Sequence, residues 1–99
     1  MITTVTRWSV SDPDTGMSDT KRAKEVWMKA GARSFRGTQM FTGAFVGQWI
    51  FYIDFDDFAH LQKCREAVAQ TDTYKEIVAS SAKAGNNIVA RDILVGMDL

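Results

Sequence analysis

The chain has 99 residues, 45% of them hydrophobic and 24% charged, with twelve basic side chains balanced by twelve acidic ones. Those values describe one soluble globular domain, residues 1–99, and exclude a disordered chain or one made of membrane spans. The neutral balance removes the overall field that draws nucleic acid or an anionic lipid surface, so neither is an expected partner. A single cysteine, Cys64, cannot close an intrachain disulfide or build a thiolate metal cage. The first residues carry no basic leader, and no run of about eighteen apolar residues occurs, so a cytoplasmic location is expected.

Residues 2–10 alternate loosely, Ile2, Thr4, Thr6, Trp8 and Val10 against Thr3, Val5, Arg7 and Ser9, which predicts a first strand. Ser11-Asp12-Pro13-Asp14-Thr15-Gly16 should stop it, because proline lacks an amide donor and aspartate favours turns. A helix is expected from Ser18 or Thr20, with Ala23, Val26, Trp27 and Ala30 in one apolar stripe and a left-handed Gly31 just past its end. Residues 34–42 predict a second strand, with a bulge or kink at Gly37. A short hairpin loop, 43–47, joins it to the strongest strand signal in the chain, residues 48–55. The faces of that strand are Trp49, Phe51, Ile53, Phe55 and Gln48, Ile50, Tyr52, Asp54.

Asp56 or Asp57 should cap a second helix that turns Phe58, Leu61, Cys64 or Arg65, and Val68 inward. Thr71-Asp72-Thr73 interrupts it, and the spacing of Thr73 and Glu76 matches a capping box that restarts it through Tyr74, Ile77 and Val78. Gly85-Asn86 ends it. Residues 88–95 form the last strand, with Ile88, Ala90, Asp92 and Leu94 opposite Val89, Arg91, Ile93 and Val95. The order strand, helix, strand, strand, helix, strand is the split βαβ pattern of an α+β, ferredoxin-like fold. Right-handed crossovers put the first and third strands side by side in the middle of a four-stranded antiparallel sheet, with both helices on one face. The other face keeps Ile50 and Tyr52, and in so short a chain the expected cover is a second copy, making a homodimer.

The chain resembles the dimeric α+β barrel superfamily, in which two ferredoxin-like chains close their sheets against each other. The resemblance spans nearly all residues and is most specific in Gly47-Gln48-Trp49-Ile50-Phe51-Tyr52-Ile53-Asp54-Phe55-Asp56-Asp57-Phe58, followed by Asp72-Thr73-Tyr74-Lys75-Glu76. It is similar to a largely uncharacterised branch. The superfamily includes cofactor-independent monooxygenases, isomerases, cyclases, haem-degrading enzymes and stress-induced proteins, so the resemblance implies architecture far better than activity. Haem-degrading members place their iron-binding histidine where this chain has Ile77, and isoleucine has no electron pair to give. No metal and no cofactor is expected.

His60 is the one side chain that ordinarily titrates near neutrality, which makes it a candidate proton shuttle, and Arg7 and Tyr52 are the other candidates for a catalytic role. Arg7 and Arg91 lie inside predicted strands, where a guanidinium needs a partner such as Asp54 or Asp92, or anchors a ligand carboxylate. Trp8, Trp27, Trp49 and Phe51 supply enough aromatic surface to line a small cavity, with Arg91 as its polar contact. The reading that follows is a dimer binding a small apolar or aromatic metabolite and promoting its oxidation, isomerisation or cyclisation without a cofactor. Its alternative is a non-catalytic stress-related or interaction module in which the homodimer is the working unit.

Overall fold

In the computed structural model, which describes all 99 residues, the chain runs β1 (Ile2–Ser9), α1 (Pro13–Lys29), β2 (Ser34–Gln39), β3 (Trp49–Phe55), α2 (Phe58–Ala69), α3 (Asp72–Ala84) and β4 (Asn87–Val95). The four strands form one antiparallel sheet in the order β2-β3-β1-β4, so β1 and β3 occupy its centre as the split βαβ pattern requires. The molecule measures 36 × 35 × 17 Å between Cα extremes, the thickness of one sheet and one helical layer.

Packing decides which face is which. Ile2, Ile53 and Phe55 from the sheet join Leu61 and Cys64 from α2 and Ala32 in one buried cluster, with Trp27 of α1 against it. Trp27 meets Phe55 edge-on at 5.8 Å between ring centroids. Trp49, Phe51, Ile53 and Phe55 therefore look toward the helices, and Ile50, Tyr52 and Asp54 look away. Burial pushes the Cys64 thiol above its ordinary range, and its Sγ reaches the Ala30 carbonyl at 3.3 Å, which marks a structural thiol rather than a nucleophile.

Three local expectations are corrected. The 11–16 segment starts α1 instead of only ending β1: Asp12 accepts from the Thr15 amide, and Pro13 takes the first helical position, where its missing donor costs nothing. Gly16 then lies inside the helix, because a Cβ there would come within 3.0 Å of the Trp49 ring. At the restart of the helical layer the cap is Thr71 rather than Thr73; its hydroxyl accepts from the Tyr74 amide. Gly37 stays in regular register opposite Phe51, whose ring would stand 3.0 Å from an added Cβ, so close approach rather than a bulge explains that glycine. The register shift falls instead between Arg7 and Trp8 on the β1–β4 pair. It moves Ile88 opposite Trp8, onto the same face as Arg91, Ile93 and Val95, with Val89 as the extra residue.

On the face turned from the helices, Ile50 is only 7% exposed within a single chain. Its register neighbours are Arg7 and Thr38, and Phe45 of the β2–β3 connection stacks 4.0 Å from the Arg7 guanidinium. That connection folds back over the sheet. On the same face Asp54 ties three strands, accepting from Thr3 of β1 and Ser34 of β2. The Ser34 hydroxyl, then the Thr3 hydroxyl, hold its carboxyl below the usual carboxylate range. A depressed folded value means that Asp54 stabilises the fold fully above its ordinary 3.8 and loses that contribution as pH falls through the lower, folded value. The stability gap between wild type and Asp54→Asn, measured by urea unfolding, is thus expected to be widest at neutral pH and to narrow in acid. A gap that stays constant down to pH ~2 would contradict the assignment.

Candidate functional site

Helices α1 and α3 are tied to each other more closely than either is to β4. Asp19 on α1 accepts from Ser80 Oγ at 3.0 Å and Ser81 Oγ at 3.3 Å on α3, and Arg22 pairs with Glu76 at 2.6 Å. Over β4 the helical cover thins, leaving Ile88, Ile93 and Val95 exposed on the side that faces the helices. Between the two layers lies a cavity of about 600 Å³, within the range of roughly 300–1,000 Å³ found for small-molecule sites.

All five residues expected to meet a ligand come together there. Trp8 comes from β1, Trp27 from α1, Trp49 and Phe51 from β3 and Arg91 from β4. Trp49 and Phe51 meet edge-on, their centroids 6.4 Å apart. Arg91, opposite Thr6 in register and exposed, lies on the β4 side, where the helices leave the cavity open. No ion pair engages it, so its guanidinium is available to an anionic group.

The three residues weighed for a catalytic role lie elsewhere. His60 Nδ1 accepts from the Asp56 amide at 2.9 Å, which leaves Nε2 to donate to the Gly31 carbonyl at 2.8 Å. Its ring stands edge-on to Phe55, at 5.6 Å, and it ties the start of α2 to the end of α1. Tyr52 is on the opposite face of the sheet with Arg36 over its ring at 4.8 Å. Arg7 shares that face, and its guanidinium meets Phe45 instead of the aspartate proposed as its partner. Arg7 Nε is buried without a hydrogen-bond partner, as is Gln48 Oε1.

Sequence reasoning overlooked two polar residues of the cavity wall. Asp19 is 5% exposed although it is a carboxylate. Its signal was present: it stands four residues before Ala23 and so continues the apolar stripe of α1, where a charge is out of place. Asn86, read only as a helix stop, is 4% exposed and closes the end of the cavity. Its Oδ1 accepts from the amides of Ser11 (2.8 Å) and Asp12 (3.0 Å), and its Nδ2 donates to the Asp12 carbonyl at 3.1 Å. Nothing in the local pattern signals a partner about seventy-five positions away.

The arrangement is an apolar, aromatic slot with a carboxylate and an amide in its walls and a cation at its opening. Such a site excludes water from a flat ligand and strengthens each of the few polar contacts it offers. His, Cys, Asp and Glu nowhere gather in a group of three able to hold a metal ion. No helix is long and apolar enough to cross a membrane.

No family model and no curated protein matches the chain. Among solved structures it is similar to an uncharacterised NIPSNAP domain protein from Burkholderia xenovorans, with a TM-score of 0.76 at 14% identity over 98% of this chain and 95% of that one. It is also similar to a proposed antibiotic biosynthesis monooxygenase from Deinococcus radiodurans, with a TM-score of 0.72 at 6% identity over 100% and 95% of the two chains. An ethyl tert-butyl ether degradation (EthD) family protein from Bacillus halodurans follows the chain with a TM-score of 0.58 at 16% identity, over 98% and 100%. Identities this low speak for fold alone, and on fold they agree with the element order, the strand order and the one-sided helical layer: the chain has a four-stranded ferredoxin-like α+β fold.

Proposed function

We propose that this protein is a cytoplasmic homodimer that takes up a small, flat, apolar or aromatic metabolite in the cavity between its sheet and helices. The observation that carries this reading is the convergence of all three tryptophans of the chain on one space of about 600 Å³. Three separate elements, β1, α1 and β3, supply them. Oxidation, isomerisation or cyclisation of the ligand without a cofactor would rest on exclusion of water and on the polar groups of the walls. The solved structure described as a monooxygenase is in keeping with such chemistry. A purely binding, non-catalytic module is the second reading, favoured by the placement of His60, Arg7 and Tyr52 outside the cavity.

Surface area supports the dimer. A monomer of 11.1 kDa is expected to expose about 5,650 Å², whereas this chain exposes 6510 Å². The surplus is close to the roughly 800 Å² that each partner buries in an interface of ordinary size. The test has two arms. Sedimentation equilibrium should return twice 11.1 kDa, and aromatic acids should raise the melting temperature more than their aliphatic counterparts do. A monomeric mass, or equal response to both ligand classes, would defeat the corresponding half of the proposal.

A further inference from the structure

We infer that the cavity is built for a ligand with two polar ends: a hydroxyl that donates to Asp19 and an acidic group that meets Arg91, as in a hydroxylated aromatic acid. This rests on the binding function proposed above and narrows it to a chemical class. Asp19 and Arg91 belong to opposite layers, α1 and β4, and both line the same aromatic space. The carboxylate can accept about four hydrogen bonds, and the chain fills only part of that capacity, with Ser80 and Ser81. Arg22, the nearest cation, stands 4.0 Å away from one of its oxygens.

A buried carboxylate with spare acceptor capacity in a wall of tryptophans gains from any donor the ligand presents. The ligand's charge follows from the opening. Arg91, Arg65 and the carboxylate Asp92, all exposed, contribute to the cavity lining, which leaves one net positive charge among them, and Arg91 lies on the open β4 side. An anionic end is drawn there, and the carboxylate of Asp19 repels it from the interior, so one orientation is preferred. An organic cation would gain at Asp19 and the aromatic rings but would have to pass two guanidinium groups.

The plain alternative is that Asp19 serves only to clip α1 to α3. Calorimetric titration of the intact protein with benzoate, phenol and 4-hydroxybenzoate separates the two. 4-Hydroxybenzoate is expected to bind about tenfold tighter than either compound that lacks one polar end, the worth of one hydrogen bond to a charged group. Asp19→Asn, which keeps an oxygen for the serines, should bring 4-hydroxybenzoate down to the benzoate level and leave benzoate unchanged. Ser80→Ala with Ser81→Ala loosens the clip and should lower the melting temperature while keeping the preference for the hydroxyl. Benzoate and phenol binding as tightly as 4-hydroxybenzoate to wild type would overturn this inference and leave the cavity as an aromatic site. Failure of all three to bind would overturn the inference and the binding function together. Should Asp19→Asn fail to fold, the wild-type series and the serine variant decide the matter alone.

Discussion

Phe55→Ala should cost the protein most of its stability at room temperature. Phe55 is 0% exposed and holds Trp27 and His60 edge-on, so it joins the sheet to α1 and to the start of α2 at once. Truncating a buried phenylalanine costs about 3–5 kcal/mol, because transfer energy is lost and the cavity closes only in part. A domain of this size holds only about 5–15 kcal/mol in all, and a chain with 13 buried residues out of 99 belongs at the lower end of that range. Chemical denaturation followed by circular dichroism reads the loss directly. Phe55→Leu, which keeps most of the volume, should cost less than half as much; equal costs would show that ring contacts rather than filled space dominate here.

Asn86→Ala is expected to be the most damaging polar substitution. It removes three hydrogen bonds that a 4% exposed side chain makes to the backbone of Ser11 and Asp12. A hydrogen bond contributes about 1 kcal/mol net, so the loss of three should cost about 3 kcal/mol. That is roughly 12–24 °C in melting temperature for a domain of this length. Asn86→Asp keeps both acceptor contacts but loses the donor, which places it between alanine and wild type. If Asn86→Ala melted with the wild type, the link between the start of α1 and the end of α3 would carry no weight, and the end of the cavity would be held by something else.

The features legible in the sequence were those set by short-range pattern. Alternation in β3 separated the Trp49 face from the Ile50 face, and Asp57 caps α2 as its position suggested. Gly31 and Gly85 carry the positive φ angles expected past the ends of helical segments. The misread caps of α1 and α3 are local, and the other misreadings involve a second element. Pro13 looks like a stop until Asp12 is seen to cap a helix ahead of it, and Gly37 looks like a kink until Phe51 is placed beside it. The shift between Arg7 and Trp8 belongs to a strand pair, so neither strand alone reveals that Ile88 joins the Arg91 face.

The candidate site divides in the same way. Trp8, Trp27, Trp49 and Phe51 line one cavity because burial of large apolar surface decides where aromatic residues go. His60 attracted attention through its chemistry alone, and two backbone partners account for both of its nitrogens. Asp19 was passed over because a charge in a helix reads as solvent-facing unless its phase is checked against the stripe, and here the stripe places it inward.

The claim on which the rest depends is that ligand enters among Trp8, Trp27 and Trp49, and because the chain holds three tryptophans, each carries its own indole reporter. In two-dimensional proton–nitrogen spectra recorded while 4-hydroxybenzoate is added, all three indole signals should move together and saturate with one dissociation constant. Indoles that stay still while the amides of Val5 and Tyr52 move, on the sheet face turned from the helices, would place the ligand on the wrong side of the sheet and contradict the account.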